Sequence, residues 1–140
     1  MATKRQRDWQ RSRVYKWERA HFGEKCPELT LDECRELVSR TAQFYPGFLC
    51  PEVTDGRGRR KGGYCRHTNT IKLPRFTRTH WYACHEIAHA IVAQFYDRDG
   101  VLAAHGVMFV SVYINVLAKL KISEARALRR SAEYWKVKHI

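Results

Sequence analysis

Residues 81–92 read WYACHEIAHAIV, and this stretch decides how the rest of the chain is interpreted. The run is largely apolar and contains no Pro or Gly, so it is typical of a helix. His85 and His89 are four residues apart, with Glu86 beside the first, in the pattern H-E-x-x-H. On a helix, residues four apart share one face, with Cβ atoms about 5–6 Å apart. Two imidazoles placed in this way can bind one metal ion.

Glu86 lies on the flank of that face, where it is poorly placed to be a third ligand beside both histidines. It can instead reach a water molecule at the metal, which is where a general base belongs. We therefore interpret the chain as a zinc-dependent metalloprotease, in which Glu86 activates zinc-bound water to attack a peptide carbonyl. Tyr82 and Tyr113 could stabilise the resulting oxyanion, although we expect both to pack in the core.

A catalytic zinc site usually has three protein ligands and one open position. The extended signature H-E-x-x-H-x-x-G-x-x-H is absent, because Val92 and Phe95 occupy its Gly and His positions. We favour His105 as the third ligand, since it follows a loop and precedes Gly106, where the backbone can approach closely. The oxygen donors that remain as alternatives are Glu124, Asp97 and Asp99. The other histidines lack such partners and are interpreted as ordinary surface or packing residues: His21, His67, His80 and His139.

The formal net charge is +12, with basic residues concentrated near the N-terminus, in residues 57–66 and in residues 119–138. Such an excess favours polyanionic partners, with nucleic acid first, although a solvated basic surface is the simpler alternative. The alternative function is therefore a non-catalytic basic module that binds nucleic acid or builds an assembly. A length of 140 residues predicts one domain, residues 1–140.

The five cysteines form no C-x-x-C pair, and their number is odd. This argues against a disulfide framework or a zinc ribbon and favours reduced thiols in a cytoplasmic protein. No apolar run approaches 18 residues, and no apolar stretch follows the charged N-terminus. We therefore expect neither a membrane span nor a secretory signal.

Helices are expected in the first part of the chain and again from the motif onward. We expect residues 8–22 to form a structural helix that docks through Trp9, Val14 and Trp17 and ends at Gly23. A capping box of Thr30 and Glu33 predicts a second helix, which stops before Pro46. The motif helix is expected to run to about residue 96, capped by Thr77 or Thr79. Further helices are expected over residues 106–120 and over residues 124–135, the second with Ser123 as its cap. We expect residues 136–140 either to form an edge strand or to extend from the fold without pairing.

Between the helices, residues 49–73 have the alternating pattern of short strands, with Ile71 and Leu73 on one face. We predict two or three antiparallel strands joined by a basic, glycine-rich loop over residues 56–63. We expect this loop to be a mobile surface hairpin, and a grip on nucleic acid or on the substrate backbone is the alternative. The predicted fold class is therefore α+β, with a small antiparallel or mixed sheet packed against the motif helix.

The sequences HEIAH and, after a loop, HGVMF resemble the SprT-like branch of small zinc metallopeptidases, in which a third His follows H-E-x-x-H. The opening RDWQRSRVYKWE and the segment TNTIKLPRFTRTHWYACHEIAHAI are similar to a bacterial group of short metallohydrolases. This resemblance implies a minimal zincin-like fold, zinc held by His85, His89 and His105, and Glu86 as base. Some SprT-like relatives act on proteins bound to DNA, so the resemblance also implies a protein or peptide substrate close to nucleic acid.

Overall fold

The computed structural model describes residues 4–23 and 26–140. Over these residues the protein is α+β, with five helices and a three-stranded mixed sheet. The helices are α1 (Arg11–Phe22), α2 (Leu31–Ala42), α3 (His80–Ile91), α4 (Val107–Lys119) and α5 (Ala125–Tyr134). The strands are β1 (Glu52–Asp55), β2 (Gly63–Cys65) and β3 (Thr70–Leu73). None of the helices in the described part of the chain has the length and apolar character that crossing a bilayer requires.

The beginning of α2 follows from its local sequence. The Thr30 hydroxyl accepts a hydrogen bond from the Glu33 amide at 3.0 Å, and the Glu33 carboxylate accepts one from the Thr30 amide at 3.0 Å. This reciprocal pair satisfies two amides that a helix start would otherwise leave unpaired, and it confirms the predicted capping box. The helix ends at Ala42, before Pro46, as predicted.

The sheet has β3 at its centre, and its pairing differs in part from the prediction. β2 pairs with β3 in the antiparallel direction, but β1 pairs with β3 in parallel, in the order β1-β3-β2. The sheet is therefore mixed, as the predicted fold class allowed, but the expectation that the strands pair antiparallel was wrong for β1. Alternation identifies a strand but does not choose its neighbour, and residues 56–62 are long enough to carry the chain past β3. Ile71 and Leu73 lie on the same face of β3 and are buried.

The motif helix α3 packs against the sheet, α2 and α4. Its cap is Thr79, whose side chain accepts a hydrogen bond from the Tyr82 amide, whereas the Thr77 hydroxyl donates to the Pro74 carbonyl. After Ile91 the chain continues to Tyr96 in a π-helical turn. Helical structure therefore reaches residue 96, as predicted, and Phe95 near its end is exposed.

The structure of the C-terminal part differs from two of our expectations. Ser123 does not cap α5: its hydroxyl is hydrogen-bonded to His21, and Glu124 stands at the cap position without a side-chain bond. Residues 136–140 form no strand, but they are held in place. The Lys138 amide donates to the side chain of Gln10, and the Gln10 amide group donates back to the Lys138 carbonyl. The end of the chain thereby fixes the residue before α1.

Helix α1 is attached through Trp17, which is fully buried. Its ring packs edge-on against Tyr113 with centroids 5.9 Å apart, and its indole N–H donates to the Ser131 hydroxyl at 2.8 Å. Val14 is buried beside it, as predicted. Trp9, which we expected to dock as well, is 49% exposed because α1 begins only at Arg11. The prediction for Trp9 was therefore wrong.

The two tryptophans provide a matched test of how α1 is attached. We expect Trp17→Ala to lower the free energy of unfolding by about 3–5 kcal/mol, because it leaves a cavity in the core. Trp9→Ala should change it by less than about 0.5 kcal/mol, as is usual at an exposed position. Urea denaturation followed by circular dichroism measures both values. Equal losses in the two variants would contradict the described attachment of α1.

Candidate metal centre

Three histidine rings meet at one point of the fold. His85 and His89 lie on α3, and His105 lies in the loop that leads into α4. The Nε2 atom of His85 is 3.2 Å from Nε2 of His89 and 3.2 Å from Nε2 of His105. Among the described residues, these three side chains form the group of possible metal ligands, with ligand atoms within 4.8 Å of one another. The structure therefore brings together the three residues that the sequence nominated.

Two carboxylates behind the rings determine which nitrogen atoms face the centre. Glu18, buried on α1, accepts a hydrogen bond from Nδ1 of His85 at 2.6 Å. Asp8 accepts one from Nδ1 of His105 at 2.8 Å and a second from the His105 amide at 3.0 Å. A carboxylate can only accept, so both Nδ1 atoms are donors and the Nε2 atoms are free to bind a metal. Carboxylate–imidazole pairs of this kind are common around metal ions in proteins.

The spacing of the Nε2 atoms fits a zinc ion. Two nitrogen ligands of a tetrahedral zinc, each about 2.0–2.1 Å from the metal, are about 3.3 Å apart. Nε2 of His85 lies 3.2 Å from each of the other two Nε2 atoms. Three neutral rings with protonated Nδ1 atoms would point lone pairs at each other across this distance, which is unfavourable unless a metal ion or a proton on one ring lies between them. His85, His89 and His105 could therefore hold one metal ion, and the spacing of their Nε2 atoms is compatible with zinc.

The protonation of the three rings follows from their surroundings. Burial lowers the pKa of His89, and the neighbouring His85 and His105 lower it further. Burial also lowers the pKa of His105. Burial would lower the pKa of His85 as well, but the Glu18 carboxylate and its hydrogen bond outweigh burial and raise it. Two of the three rings are thus held in the neutral form that a metal ligand requires.

His89 is oriented by packing. Its ring stacks on the buried Phe109 with centroids 4.3 Å apart and an interplanar angle of 22°. No carboxylate within the described residues is hydrogen-bonded to His89, so the aromatic contact takes the place of the acidic partners that His85 and His105 have.

Glu86 lies in the wall of an open cleft of about 990 Å³ that also contains the three histidines. Its side chain is nearly buried, with 4% of the residue exposed. Burial raises the pKa of Glu86, while His85 and two cationic side chains, Lys61 and Arg59, oppose the rise. A carboxylate that lines the same cleft as the three histidines is a candidate to accept and return a proton there.

The alternative oxygen ligands do not join this centre. Asp97 is buried, but its carboxylate accepts hydrogen bonds from the amides of Val101 and Leu102 and contacts Arg66, so it holds the loop after α3. Asp99 and Glu124 are exposed. The structure places none of the three within the group of ligand atoms formed by the histidines.

The tyrosines near the centre differ in what their hydroxyls do. Tyr113 is fully buried, and its hydroxyl donates to Glu18 at 2.8 Å. The Tyr82 hydroxyl accepts a hydrogen bond from the Gly62 amide at 3.0 Å. Tyr15 lines the cleft with its ring 5.2 Å from that of His105, and its hydroxyl has no hydrogen-bond partner within the described residues. Tyr15 is therefore the better candidate for contact with a substrate, and sequence reasoning missed it.

Sequence reasoning also missed Asp8 and Glu18 as members of the site. Both lie in the opening RDWQRSRVYKWE, which we interpreted as a structural helix. The available signal was their charge, since they are the only acids in a segment otherwise rich in Arg and Lys. The position of the third histidine also depends on Gly106: a Cβ atom there would lie 3.2 Å from the Cβ atom of Ala103, so a side chain would crowd this turn.

Removing the negative charge of Glu18, which accepts a hydrogen bond from His85, should weaken metal binding without unfolding the site. We expect Glu18→Gln, which keeps the size of the side chain, to raise the dissociation constant for zinc by about 10–100-fold. Glu36→Gln, at an exposed position of α2, is the matched control and should leave zinc affinity unchanged. Competition with a chromophoric chelator measures both. An affinity for zinc that is unaffected by Glu18→Gln would show that the carboxylate does not support the ligand.

Comparison with known proteins gives no assignment: no family model, no curated protein and no solved structure matches this chain. The chemistry of the centre is therefore inferred from its own side chains.

Proposed function

We propose that the protein is a zinc-dependent peptide hydrolase. The observation that carries this proposal is the convergence of three histidine rings, with Nε2 separations compatible with zinc, in one cleft with the nearly buried Glu86. His85, His89 and His105 would hold the ion. When bound, zinc supplies a Lewis acid that polarises a carbonyl and makes water more acidic. The sequence resemblance to SprT-like metallopeptidases agrees with hydrolase function. Membership of that family is itself a proposal.

Glu86 is the proposed general base. Its carboxylate takes a proton from the attacking water as the new C–O bond forms, and it then passes the proton to the nitrogen of the departing amine, as the C–N bond breaks.

Tyr15 is the proposed donor to the carbonyl oxygen as that oxygen gains negative charge. Its ring lies beside His105 and His85 at the cleft, and its hydroxyl is free of other partners within the described residues. A donor aimed at a developing oxyanion acts mainly in the transition state, so its loss lowers kcat rather than substrate binding.

Asp8 and Glu18 are positioning residues in this scheme. They hold the Nδ1 protons of His105 and His85, so the rings keep one orientation and present Nε2 to the ion. Because the opening segment supplies both carboxylates and Tyr15, it belongs to the proposed active site as much as the motif helix does.

A second candidate function is binding of nucleic acid without catalysis, for which the net charge of +12 is the supporting observation. Binding of nucleic acid does not explain why His85 is hydrogen-bonded to Glu18 and His105 to Asp8. Hydrolysis is therefore the better-supported function.

The test of the proposal separates metal binding from catalysis. Glu86→Gln should keep about one zinc per chain, since its carboxylate is not a ligand, and should abolish cleavage of unfolded casein. Tyr15→Phe should also keep its zinc and lose about 100-fold in kcat, the usual cost of one oxyanion donor. His105→Ala should lose zinc affinity. Atomic absorption of the purified variants gives metal content, and mass spectrometry of the products gives cleavage.

Wild-type protein with bound zinc that cleaves no protein or peptide, across a diverse peptide library, would overturn the proposal. Cleavage by Glu86→Gln at the wild-type rate would remove the role of Glu86. If His105→Ala binds zinc as tightly as the wild-type protein, the third ligand is another residue.

A further inference from the structure

The cleft that contains the three histidines is strongly cationic at its rim. Six Lys and Arg side chains line it, and five of these residues are exposed: Arg5, Arg11, Arg19, Arg59 and Lys61. These five come from three segments, which are the residues before α1, the helix α1 itself and the loop between β1 and β2. None of them forms an ion pair with a carboxylate in residues 4–23 and 26–140. The rim therefore has positive charge that no carboxylate of the described residues neutralises by an ion pair.

Arg66 differs from these five residues because its charge is paired within the protein. It also lines the cleft, but it contacts the Asp97 carboxylate at 3.5 Å and donates to the Asp97 carbonyl at 2.8 Å. Its charge is used to hold the loop after α3. Among the five rim cations, Arg5 donates to the Leu102 carbonyl at 3.2 Å and Arg59 to the Lys61 carbonyl at 3.3 Å. None of the five contacts a carboxylate of the described residues.

The floor of the cleft has the opposite character. Glu86 and Glu18 lie there, nearly buried, beside the histidines. A ligand that fits both regions presents a neutral group to the floor and negative groups to the rim. A peptide meets this requirement, because its backbone amides are neutral and its charges are on side chains. A nucleic acid meets it less well, because the backbone that would enter the cleft bears a charge at each phosphate.

The spacing along α1 suits an extended peptide. Arg11, Tyr15 and Arg19 are separated by four residues each and so share one face of the helix. At a rise of 1.5 Å per residue, the two arginines are about 12 Å apart along the axis. Side chains on one face of an extended peptide recur about every 6.6–6.8 Å, so two carboxylates four residues apart span about 13 Å.

The loop between β1 and β2 is fixed where it meets the cleft. The Gly62 amide donates to the Tyr82 hydroxyl of α3 at 3.0 Å, and a Cβ atom at Gly62 would lie 2.8 Å from the Tyr82 ring. Only glycine permits this close approach. The contact holds Arg59 and Lys61, just before Gly62 in the chain, at the cleft.

We propose that the cleft selects polypeptide segments rich in Asp and Glu, whose carboxylates bind the five rim cations while a backbone amide lies at the three histidines. This inference rests on the proposed function, since it assigns the substrate class of that same site. In this proposal, the basic loop over residues 56–63 binds side chains of the substrate.

Binding can be tested apart from hydrolysis. The protein is Glu86→Gln, loaded with zinc, and the probes are fluorescein-labelled peptides of equal length that contain Asp and Glu, the matching Asn and Gln, or Lys. We expect the acidic peptide to bind about tenfold more tightly than its amide counterpart, with the difference shrinking at high salt. Fluorescence anisotropy measures the dissociation constants.

Matched charge variants locate the effect. In the same background, Arg59→Gln with Lys61→Gln should weaken binding of the acidic peptide about tenfold. Arg129→Gln with Lys136→Gln removes two exposed charges from the C-terminal part and should leave it unchanged. Circular dichroism of both variants establishes that they are folded.

Equal binding of the acidic and amide peptides would overturn the proposal, and so would equal losses in the two charge variants. Single-stranded DNA that displaces the acidic peptide and binds more tightly, with the same dependence on Arg59 and Lys61, would overturn it in favour of a nucleic-acid site. Because this assay requires no cleavage, its failure differs from failure of the proposed hydrolase, which is judged by product formation with the wild-type protein.

Discussion

Two carboxylate–imidazole hydrogen bonds organise the centre of this protein, one between Glu18 and His85 and one between Asp8 and His105. Each joins residues far apart in the chain, across 67 and 97 positions. Glu18 is buried and Asp8 is partly buried, and a carboxylate removed from water needs a donor or a cation because its desolvation is costly. Each pair meets this need and at the same time turns a ring so that Nε2 faces the other histidines.

The packing of the opening segment serves the same arrangement. Trp17 fixes α1 in the core next to Tyr113, and the Tyr113 hydroxyl donates to the carboxylate of Glu18. Before α1, the chain runs along the loop that carries His105, where the Gln6 amide donates to the Val101 carbonyl at 2.7 Å. The segment therefore stabilises the fold, positions two rings and supplies one wall of the cleft. Disturbing its docking affects stability and metal affinity together.

What the sequence predicted well depends on short-range contacts. The capping box of Thr30 and the placement of His85 and His89 on one helical face follow from spacings of three and four residues, which a helix converts directly into contacts. His105 could be nominated because it follows a loop and precedes Gly106. Its ring is held toward the other two by Asp8, which no local pattern specifies.

What the sequence did not predict depends on contacts between distant segments. The parallel pairing of β1 with β3, the exposure of Trp9 and the bond between Ser123 and His21 are decided by which elements meet in space. The same is true of Asp8 and Glu18, whose acidic side chains in a basic segment were visible but whose partners were not. A helix that is basic outside and carries a buried carboxylate is ambiguous until its neighbours are known.

X-ray absorption spectroscopy of the zinc-loaded wild-type protein tests the central claim most directly. The described geometry predicts about one zinc per chain, with nitrogen or oxygen ligands at about 2.0–2.1 Å and the multiple scattering of three imidazole rings. The five cysteines offer the chemical alternative, because thiolate ligands lie at about 2.3 Å from zinc. A sulfur shell at that distance, or a spectrum without imidazole scattering, would contradict a centre built from His85, His89 and His105.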